Sequence, residues 1–235
     1  EDSLQLARQA QEPALATTVL INAARLAVRE GDRRTAEIRL AEADHQVQTL
    51  PDNRDKAFHR LAIGQLRRNL PGAPQRVEAM QDFMAAATLA RQINDQRSLS
   101  YALGYQAQWQ QDAGQAAEAL ALYRQAVFAA QQADAPELLY RWQWPIGRLL
   151  KQQGDLEGAI LAYQQTVDHL QAIRPDFTLG QSGPADSFRV SVGDAFTELA
   201  DLLLQRAARQ PTATAREADL RAARDVMEAL KTAEV

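Results

Sequence analysis

Three histidines are the side chains of this sequence best suited, by type, to bind a metal ion or to transfer protons. They are His45, His59 and His169. None has a second histidine or a carboxylate at a ligand spacing such as H-E-x-x-H, which places two imidazoles on one face of a helix. We therefore interpret all three as ordinary surface or turn-capping residues, and we predict no metal site.

Neighbouring carboxylates could act as an acid and base pair. Two such pairs, Asp32 with Glu37 and Asp155 with Glu157, stand where helices are predicted to begin, and acidic side chains there complement the helix dipole. The sequence has no G-x-G-x-x-G, P-loop or G-x-S-x-G motif and no cysteine nucleophile. We therefore predict no catalytic residue and no cofactor, and we expect that the chain is not an enzyme.

Composition limits the possible classes of function. Of 235 residues, 46% are hydrophobic and 24% are charged, which is enough for a buried core. The net charge of −4 gives no reason to expect a nucleic acid as partner, and no apolar run approaches the length of a membrane span. The absence of cysteine fits an oxidising or a reducing compartment, so the localisation stays open. Because the first residue is Glu1 rather than Met, we expect a fragment or a processed product.

A stripe of small, large and small residues recurs four times and defines the elements of the fold. The first small residue stands at 36, 79, 119 and 159, which gives steps of 43, 40 and 40. Small residues let helices approach closely, and the large residue fills the gap between them. The period predicts an all-α, right-handed superhelical solenoid of antiparallel helix pairs, each with a helix A and a helix B. The stripes are Ala36-Leu40-Ala43, Ala79-Phe83-Ala86, Ala119-Tyr123-Ala126 and Ala159-Tyr163-Thr166.

Glycines mark the turns from helix A to helix B. Gly31, Gly114 and Gly154 stand before three of the stripes and are predicted to end helix A with a positive φ. Asp32 and Asp155 follow directly and are predicted to cap helix B. The second repeat has a Pro- and Gly-rich segment, 69–74, which predicts a longer turn and accounts for the 43-residue step.

The sequence divides into three regions by this pattern. Residues 1–13 are predicted to be a half repeat, namely helix B of a preceding unit, and residues 14–174 four repeats of about 40 residues. Residues 175–235 are predicted to form a loop, 175–186, and a degenerate terminal hairpin that leads towards an absent C-terminal domain. The inward residues of that hairpin are predicted to be Phe188, Val192, Phe196, Leu199, Leu203, Leu220, Ala223, Met227 and Leu230.

The fourth repeat has two further signals. Asp134, Pro136 and Glu137 predict a helix start with a cap, a proline and an acid. Pro145 lies inside the helix that follows and is predicted to kink it.

The spacing of Gly, Ala, Tyr and Ala resembles the tetratricopeptide repeat in a lengthened form. Three segments are similar, more specifically, to the helical region that precedes a CHAT domain, a caspase-like peptidase domain of bacterial proteins. They are RSLSYALGY (97–105), DAPELLYRWQW (134–144) with IGR (146–148), and SFR (187–189) with LLL (202–204) and ARDVMEAL (223–230). The sequence departs from that family at Gln106, Gln110 and Pro145, which predicts weaker packing in the third repeat. No catalytic residue of a peptidase can be assigned to this chain.

The resemblance implies that the A helices line a concave groove. The four predicted A helices (17–30, 57–70, 97–113 and 137–153) carry a net charge of +6, and the four predicted B helices carry −4. Arginine forms bidentate pairs with carboxylates, and Tyr and Trp are typical anchors at interfaces. The inner positions that the resemblance implies are Asn22, Arg25, Arg29, Gln65, Arg68, Asn69, Tyr101, Tyr105, Gln108, Arg141, Trp144, Arg148 and Lys151. Because Trp142 and Trp144 are two residues apart, only one of them is expected to face the groove.

These features predict a protein–protein interaction scaffold or regulatory module. It would bind a peptide or partner protein of acidic character through the groove and would regulate or target an attached CHAT peptidase domain. The alternative is a structural spacer or self-association module that forms homo-oligomers through its open ends. We expect no nucleic acid as partner and no membrane insertion. The competing interpretation is that the groove residues are solvated charges and partly buried aromatics.

Overall fold

The computed structural model of the chain describes residues 2–180 and 186–232, and these residues contain helices and no strand. The chain divides into two compact units, unit 1 (Glu1–Ala129) and unit 2 (Ala130–Val235), and each is described by itself. The helices within the described residues are α1 (Asp2–Gln9), α2 (Pro13–Glu30), α3 (Arg33–Gln48), α4 (Arg54–Asn69), α5 (Ala73–Gln92), α6 (Gln96–Asp112), α7 (Ala116–Gln132), α8 (Pro136–Gln152), α9 (Leu156–Gly180), α10 (Asp186–Arg209) and α11 (Ala213–Thr232).

The predicted turns are present. Gly31, Gly114 and Gly154 have φ values of 76°, 76° and 80°, in the left-handed region that a Cβ disfavours. The Asp32 carboxylate accepts a hydrogen bond from the Thr35 backbone N–H at 3.0 Å. Asp155 accepts in the same way from the Gly158 N–H at 2.9 Å. Each glycine therefore ends one helix, and in two repeats the aspartate that follows starts the next, as predicted.

The small-large-small stripe is the core of the helix pairs. The small residues of all four stripes are 0% exposed, and the large residues are at most 2% exposed. The large residue packs on a glycine of helix A in two repeats. A Cβ added to Gly64 would lie 2.6 Å from the Phe83 ring, and one added to Gly147 would lie 2.7 Å from the Tyr163 ring. Such a Cβ would clash with an aromatic ring, so only glycine fits at these two positions.

The other two repeats have alanine at the matching position of helix A. Ala24 and Ala107 are both fully buried. Positions 24, 64, 107 and 147 are separated by steps of 40, 43 and 40, so helix A carries its own repeat signal, which was not predicted above.

The extra three residues of the second repeat lie in a helix rather than in a turn. Only residues 70–72 separate α4 from α5, whereas a longer turn was predicted at 69–74. Helix α5 begins six residues before Ala79, whereas α3, α7 and α9 begin three residues before their first small residue. The prediction of a longer turn was wrong because proline is tolerated in the first turn of a helix, where its missing N–H has no partner to lose.

The start of α8 differs from its prediction in one residue. Pro136 opens the helix and Glu137 lies in its first turn, as predicted, but Ala135 is the capping position and has no capping side chain. Asp134 instead adopts a φ of 46° and ends the preceding turn, which aspartate tolerates better than most residues. Helix α8 continues through Pro145 to Gln152.

The predicted loop at 175–186 was wrong over its first part, because α9 continues to Gly180. A proline such as Pro175 removes one hydrogen bond and can bend a helix without ending it. Residues 181–185, the predicted inward side chain of Phe188 and the last three residues lie outside the described part of the chain.

The terminal hairpin is formed by α10 and α11. Val192, Phe196, Leu199 and Leu203 on α10, and Ala223 and Leu230 on α11, are buried as predicted. Leu220 was predicted to be buried but is 46% exposed. Its neighbour Asp219 is buried instead, because both Asp219 carboxylate oxygens accept hydrogen bonds from Arg206 of α10 at 2.7 to 3.2 Å.

Unit 1 contains an arginine whose contacts are similar to those of Arg206 in unit 2. Arg67 near the end of α4 donates to Asp82 of α5 at 2.6 Å and lies 3.6 Å from Asp44 of α3. Arg206 likewise contacts a carboxylate of its own hairpin and one of the preceding helix, Glu157 of α9 at 2.7 Å. The same arrangement in both units indicates that α10 and α11 pack as a helix pair of the same kind as α4 and α5.

Candidate functional site

His59 is buried, so its interpretation as a surface or turn-capping residue was wrong. The residue is 8% exposed, and its Nε2 atom lies 3.0 Å from the Thr18 hydroxyl of α2. Its Nδ1 atom is buried without a hydrogen-bond partner. Burial lowers the pKa of His59, although the Asp55 carboxylate opposes that shift. Its partner lies 41 residues away, so no local pattern could reveal the burial.

The other two histidines are not held in this way. His45 is exposed and His169 is half-buried, and burial lowers the pKa of His169 against the effect of Asp168. Among the side chains that the structure describes, no three His, Asp or Glu residues come together as metal ligands. No helix in that part of the chain is both long and apolar enough to span a bilayer.

The predicted groove residues of α2 lie on its exposed side. Asn22, Arg25 and Arg29 are all exposed, and Arg25 Nη1 donates to Asn22 Oδ1 at 2.7 Å. On α4, Gln65 is half-buried, and its Nε2 atom has no hydrogen-bond partner.

Arg68 brings two of the predicted residues together. Its Nη1 atom donates to Gln108 Oε1 of α6 at 2.6 Å, and its Nη2 atom donates to Asp112 Oδ2 at 2.7 Å. Asp112 was not among the predicted residues. It stands 43 residues after Asn69, the step that relates the second repeat to the third, and that step could have identified it.

A cleft of 460 Å³ opens beside Arg68 in unit 1. It contains two guanidinium groups, one carboxylate and one indole, so its net charge is positive. Arg76 comes from α5, and Trp109 and Asp112 come from the last turn of α6. We call it the Arg68 cleft, and its lining residues are Arg68, Asn69, Arg76, Trp109, Asp112 and Ala113.

Aromatic side chains lie on α4 and α6. Tyr101 is half-buried, and its ring centroid lies 5.9 Å from that of Tyr105. Tyr105 is only 8% exposed, and its ring centroid lies 5.3 Å from that of the buried Phe83. Tyr105 therefore belongs to the core, beneath the half-buried Tyr101. Phe58 stands at the repeat position equivalent to Tyr101, 43 residues earlier, and is 58% exposed. Phe58 was missed, although the repeat step predicts it; Phe58 and Tyr101 are called the aromatic pair below.

In unit 2, one carboxylate is the partner of several predicted residues. Glu198 of α10 accepts hydrogen bonds from Trp144 Nε1 at 2.8 Å, from Arg148 Nη2 at 2.9 Å and from the Tyr163 hydroxyl at 2.7 Å. The Arg148 guanidinium also lies over the Trp144 ring, 4.6 Å from its centroid. Burial acts to raise the pKa of Glu198, but these three donors outweigh it and lower that pKa.

The remaining predicted residues of α8 also have neighbours in unit 2. Lys151 pairs with Asp201 at 3.2 Å. The Arg141 guanidinium lies 5.0 Å from the centre of the Trp142 ring. Trp142 is fully buried and Trp144 is half-buried, in agreement with the prediction that one of the two belongs to the core.

Solved structures with tetratricopeptide-like repeats are similar to this chain. BtubC (BKLC) from P. vanneervenii is 19% identical with a TM-score of 0.70, over 98% of this chain and 89% of its own. A Podosopora anserina putative kinesin light chain with nearly identical TPR-like repeats is 17% identical with a TM-score of 0.60, over 94% of this chain and 96% of its own.

A third similar structure is a signal transduction ATPase with numerous domains and a tetratricopeptide repeat sensor, from Pyrococcus horikoshii. It is 14% identical with a TM-score of 0.61, over 98% of this chain and 37% of its own. No protein-family model matches the sequence, and the comparison with curated proteins finds no match.

These likenesses, together with the helical content of the described residues, define the class of the fold. The chain has a tetratricopeptide-like, all-α solenoid fold. Folds of this class commonly mediate contacts between proteins, through extended surfaces built by successive repeats.

Proposed function

We propose that this chain is a protein-interaction module, and that in unit 1 it binds a peptide segment of a partner on the face formed by α2, α4 and α6. The exposure of Phe58, one residue of the aromatic pair, is the observation that carries the proposal. Phe58 is 58% exposed although it lies between the buried residues Ala57 and His59. A large aromatic side chain held in this way on a rigid helix is a typical anchor for a partner.

The polar residues around the aromatic pair support a peptide as ligand. Arg25, Gln65 and Gln108 occupy the same repeat position on three successive A helices, separated by steps of 40 and 43. Amide side chains can donate to and accept from a peptide backbone, and arginine can bind its carboxylates. A row of such groups at regular spacing fits an extended chain better than a compact small molecule.

The predicted residues of α8 contribute differently to the proposal. Arg141, Trp144, Arg148 and Lys151 remain candidates for binding in unit 2. Because Glu198 and Asp201 already accept hydrogen bonds from three of them, a partner would have to compete with these carboxylates. We therefore assign the stronger contribution to unit 1.

The finer proposal is that the module regulates or targets an attached CHAT peptidase domain. It rests on the three segments that resemble the region preceding such a domain. A partner could change the state of an attached domain only if it bound two arrangements of the helices with different affinity.

The test is a selection of random peptides, about twelve residues long, on the intact chain. We expect a shared motif among the selected peptides and loss of their binding in Phe58→Ser. Phe128→Ser is the matched control, because Phe128 of α7 is also an exposed phenylalanine, 63% exposed, but lies on a B helix. Failure to select any peptide, or equal loss in both variants, contradicts the proposal.

Self-association is the second candidate function, and a specific observation favours it. Large apolar side chains are exposed on B helices of unit 1, among them Ile38, Met84 and Phe128. Exposed apolar groups of this kind can bind a second copy. Light scattering after size-exclusion chromatography distinguishes the two functions, because a peptide-binding module stays monomeric over a range of concentrations.

A further inference from the structure

We infer that the Arg68 cleft of unit 1 binds a carboxylate side chain within a partner peptide, and that Asp112 is an intramolecular competitor for that carboxylate. The inference deepens the proposed function and rests on it. It assigns a ligand group to Arg68 and Arg76, and it gives Asp112 a role in setting the affinity.

Arg68 is oriented but not saturated by its neighbours. A guanidinium group has five N–H donors in a fixed plane. Two of the Arg68 nitrogens donate, one to Gln108 and one to Asp112, and these bonds come from two successive turns of α6. The side chain is 24% exposed and lines the cleft. A group that is held in place before its ligand arrives loses little conformational entropy on binding.

The charges of the cleft favour an anion. Arg68 and Arg76 line it together with a single carboxylate, that of Asp112. The Asp112 side chain is 62% exposed, and ion pairs with such an exposed partner contribute little to stability. An incoming carboxylate that reaches both guanidinium groups can therefore replace Asp112 at Arg68, and Asp112 can turn to solvent.

Trp109 favours a particular kind of residue next to the acidic residue of the bound peptide. Its half-buried indole forms part of the cleft wall, and Trp109 stands between the two Arg68 partners, Gln108 and Asp112, in the sequence of α6. An indole provides apolar contact area, so a large apolar residue next to the acidic one would gain from burial against it. The ligand class is thus an internal acidic residue with an apolar neighbour, in a peptide chain.

The experiment uses the peptides selected on the intact chain, resynthesised with acetylated and amidated ends so that no terminal carboxylate remains. Binding is measured by fluorescence anisotropy for each peptide and for its counterpart with every Glu and Asp replaced by Gln and Asn. The protein variants are Arg76→Gln, Asp112→Asn and, as matched control, Arg91→Gln. Arg91 is an exposed arginine on the same helix, about 22 Å from Arg76 along α5 at 1.5 Å per residue.

We expect the selected peptides to contain a carboxylate, and Arg76→Gln to weaken their binding about tenfold. Asp112→Asn should tighten it about three- to tenfold, because the competitor loses its charge. Arg91→Gln should change it less than about twofold, since an isolated exposed charge is screened. The amide counterparts of the peptides should bind weakly and equally to wild type and Asp112→Asn.

Each other outcome overturns the inference. If selected peptides bind but Arg76→Gln and Asp112→Asn leave their affinity unchanged, the cleft is not the carboxylate site and the proposed function stands. If the amide counterparts bind as well as the acidic peptides, the ligand class is wrong. If no peptide is selected, the proposed function and this inference fail together. Circular dichroism of the variants shows whether the fold is retained, and these exposed positions leave the core intact.

Discussion

The aromatic ring of Tyr163 lies against Gly147, so that a Cβ on Gly147 would come within 2.7 Å of the ring. The same relationship joins Phe83 to Gly64 in unit 1, at 2.6 Å. In each case the B helix of a pair rests on the backbone of its A helix through one aromatic residue. The glycine is therefore a packing residue rather than a turn residue.

The first prediction concerns this contact. Gly64→Ala should destabilise unit 1 by about 1–2 kcal/mol, because overpacking at about 1–3 kcal/mol exceeds the gain of up to about 1 kcal/mol in helix propensity. Phe83→Leu in the same chain should recover part of the loss, since Ala24 and Leu40 are the natural pair at these positions of the first repeat. Urea unfolding of the two single variants and the double variant measures the coupling. A Gly64→Ala protein more stable than wild type would contradict the contact.

The second prediction concerns the buried arginine of α4. Arg67→Met should cost about 3 kcal/mol, because Asp82, which is 2% exposed, loses its shorter ion pair and keeps only Arg60 at 3.1 Å. Arg33→Met is the control, because it removes an exposed pair with Glu37 and should cost at most about 1 kcal/mol. Urea unfolding midpoints compare the two. Similar losses in both variants would mean that burial does not govern the strength of the Arg67 pair.

The third prediction concerns pH and His59. Because burial lowers its pKa in the folded chain, the unfolded chain binds a proton first as the pH falls below the ordinary value of 6.5. Stability should therefore fall between pH 6.5 and the lower folded pKa, with a slope of at most about 1.4 kcal/mol per pH unit for one proton. Urea unfolding at a series of pH values measures the slope. It should decrease in His59→Gln, and an unchanged slope in that variant would contradict the prediction.

The fourth prediction concerns Glu198 of unit 2. Its pKa is lowered in the folded chain, so its stabilising effect is present above the ordinary value of 4.5 and is lost as the pH falls through the folded pKa. Glu198→Gln should cost about 1–3 kcal/mol at pH 7 and should remove that part of the acid sensitivity. Asp201→Asn is the control, since that carboxylate is 55% exposed. Acid unfolding followed by tryptophan fluorescence tests this prediction. Identical unfolding profiles for wild type and Glu198→Gln would contradict the prediction.

Much of the fold follows from patterns that lie within one helix or one turn. The stripe that includes Ala119 and Tyr123, and the cap at Asp32, are local signals, and the structure confirms them. The glycine signal of helix A was missed because Gly64 and Gly147 alternate with alanines. Its meaning becomes apparent only when each is paired with the aromatic residue that it faces on the next helix.

The candidate site depended on contacts between repeats, which no local pattern specifies. Asp112 and Phe58 could be found only by applying the repeat step to residues already selected. The burial of Asp219 in place of Leu220 could not be found that way, because it depends on the position of Arg206 on the opposite helix. Sequence reasoning therefore predicted candidate residues on the A helices but did not identify the side chains that these residues contact.

The three residues inserted at the start of α5 have a consequence for how such proteins diversify. They extend the N-terminal end of α5 by about one turn. Ala79 and Phe83, which follow in the same helix, remain fully buried. Arg76 of the cleft comes directly after the insertion. A short insertion or deletion at the start of α5 could therefore change the residues beside the Arg68 cleft, while the buried residues of the helix pair stay the same.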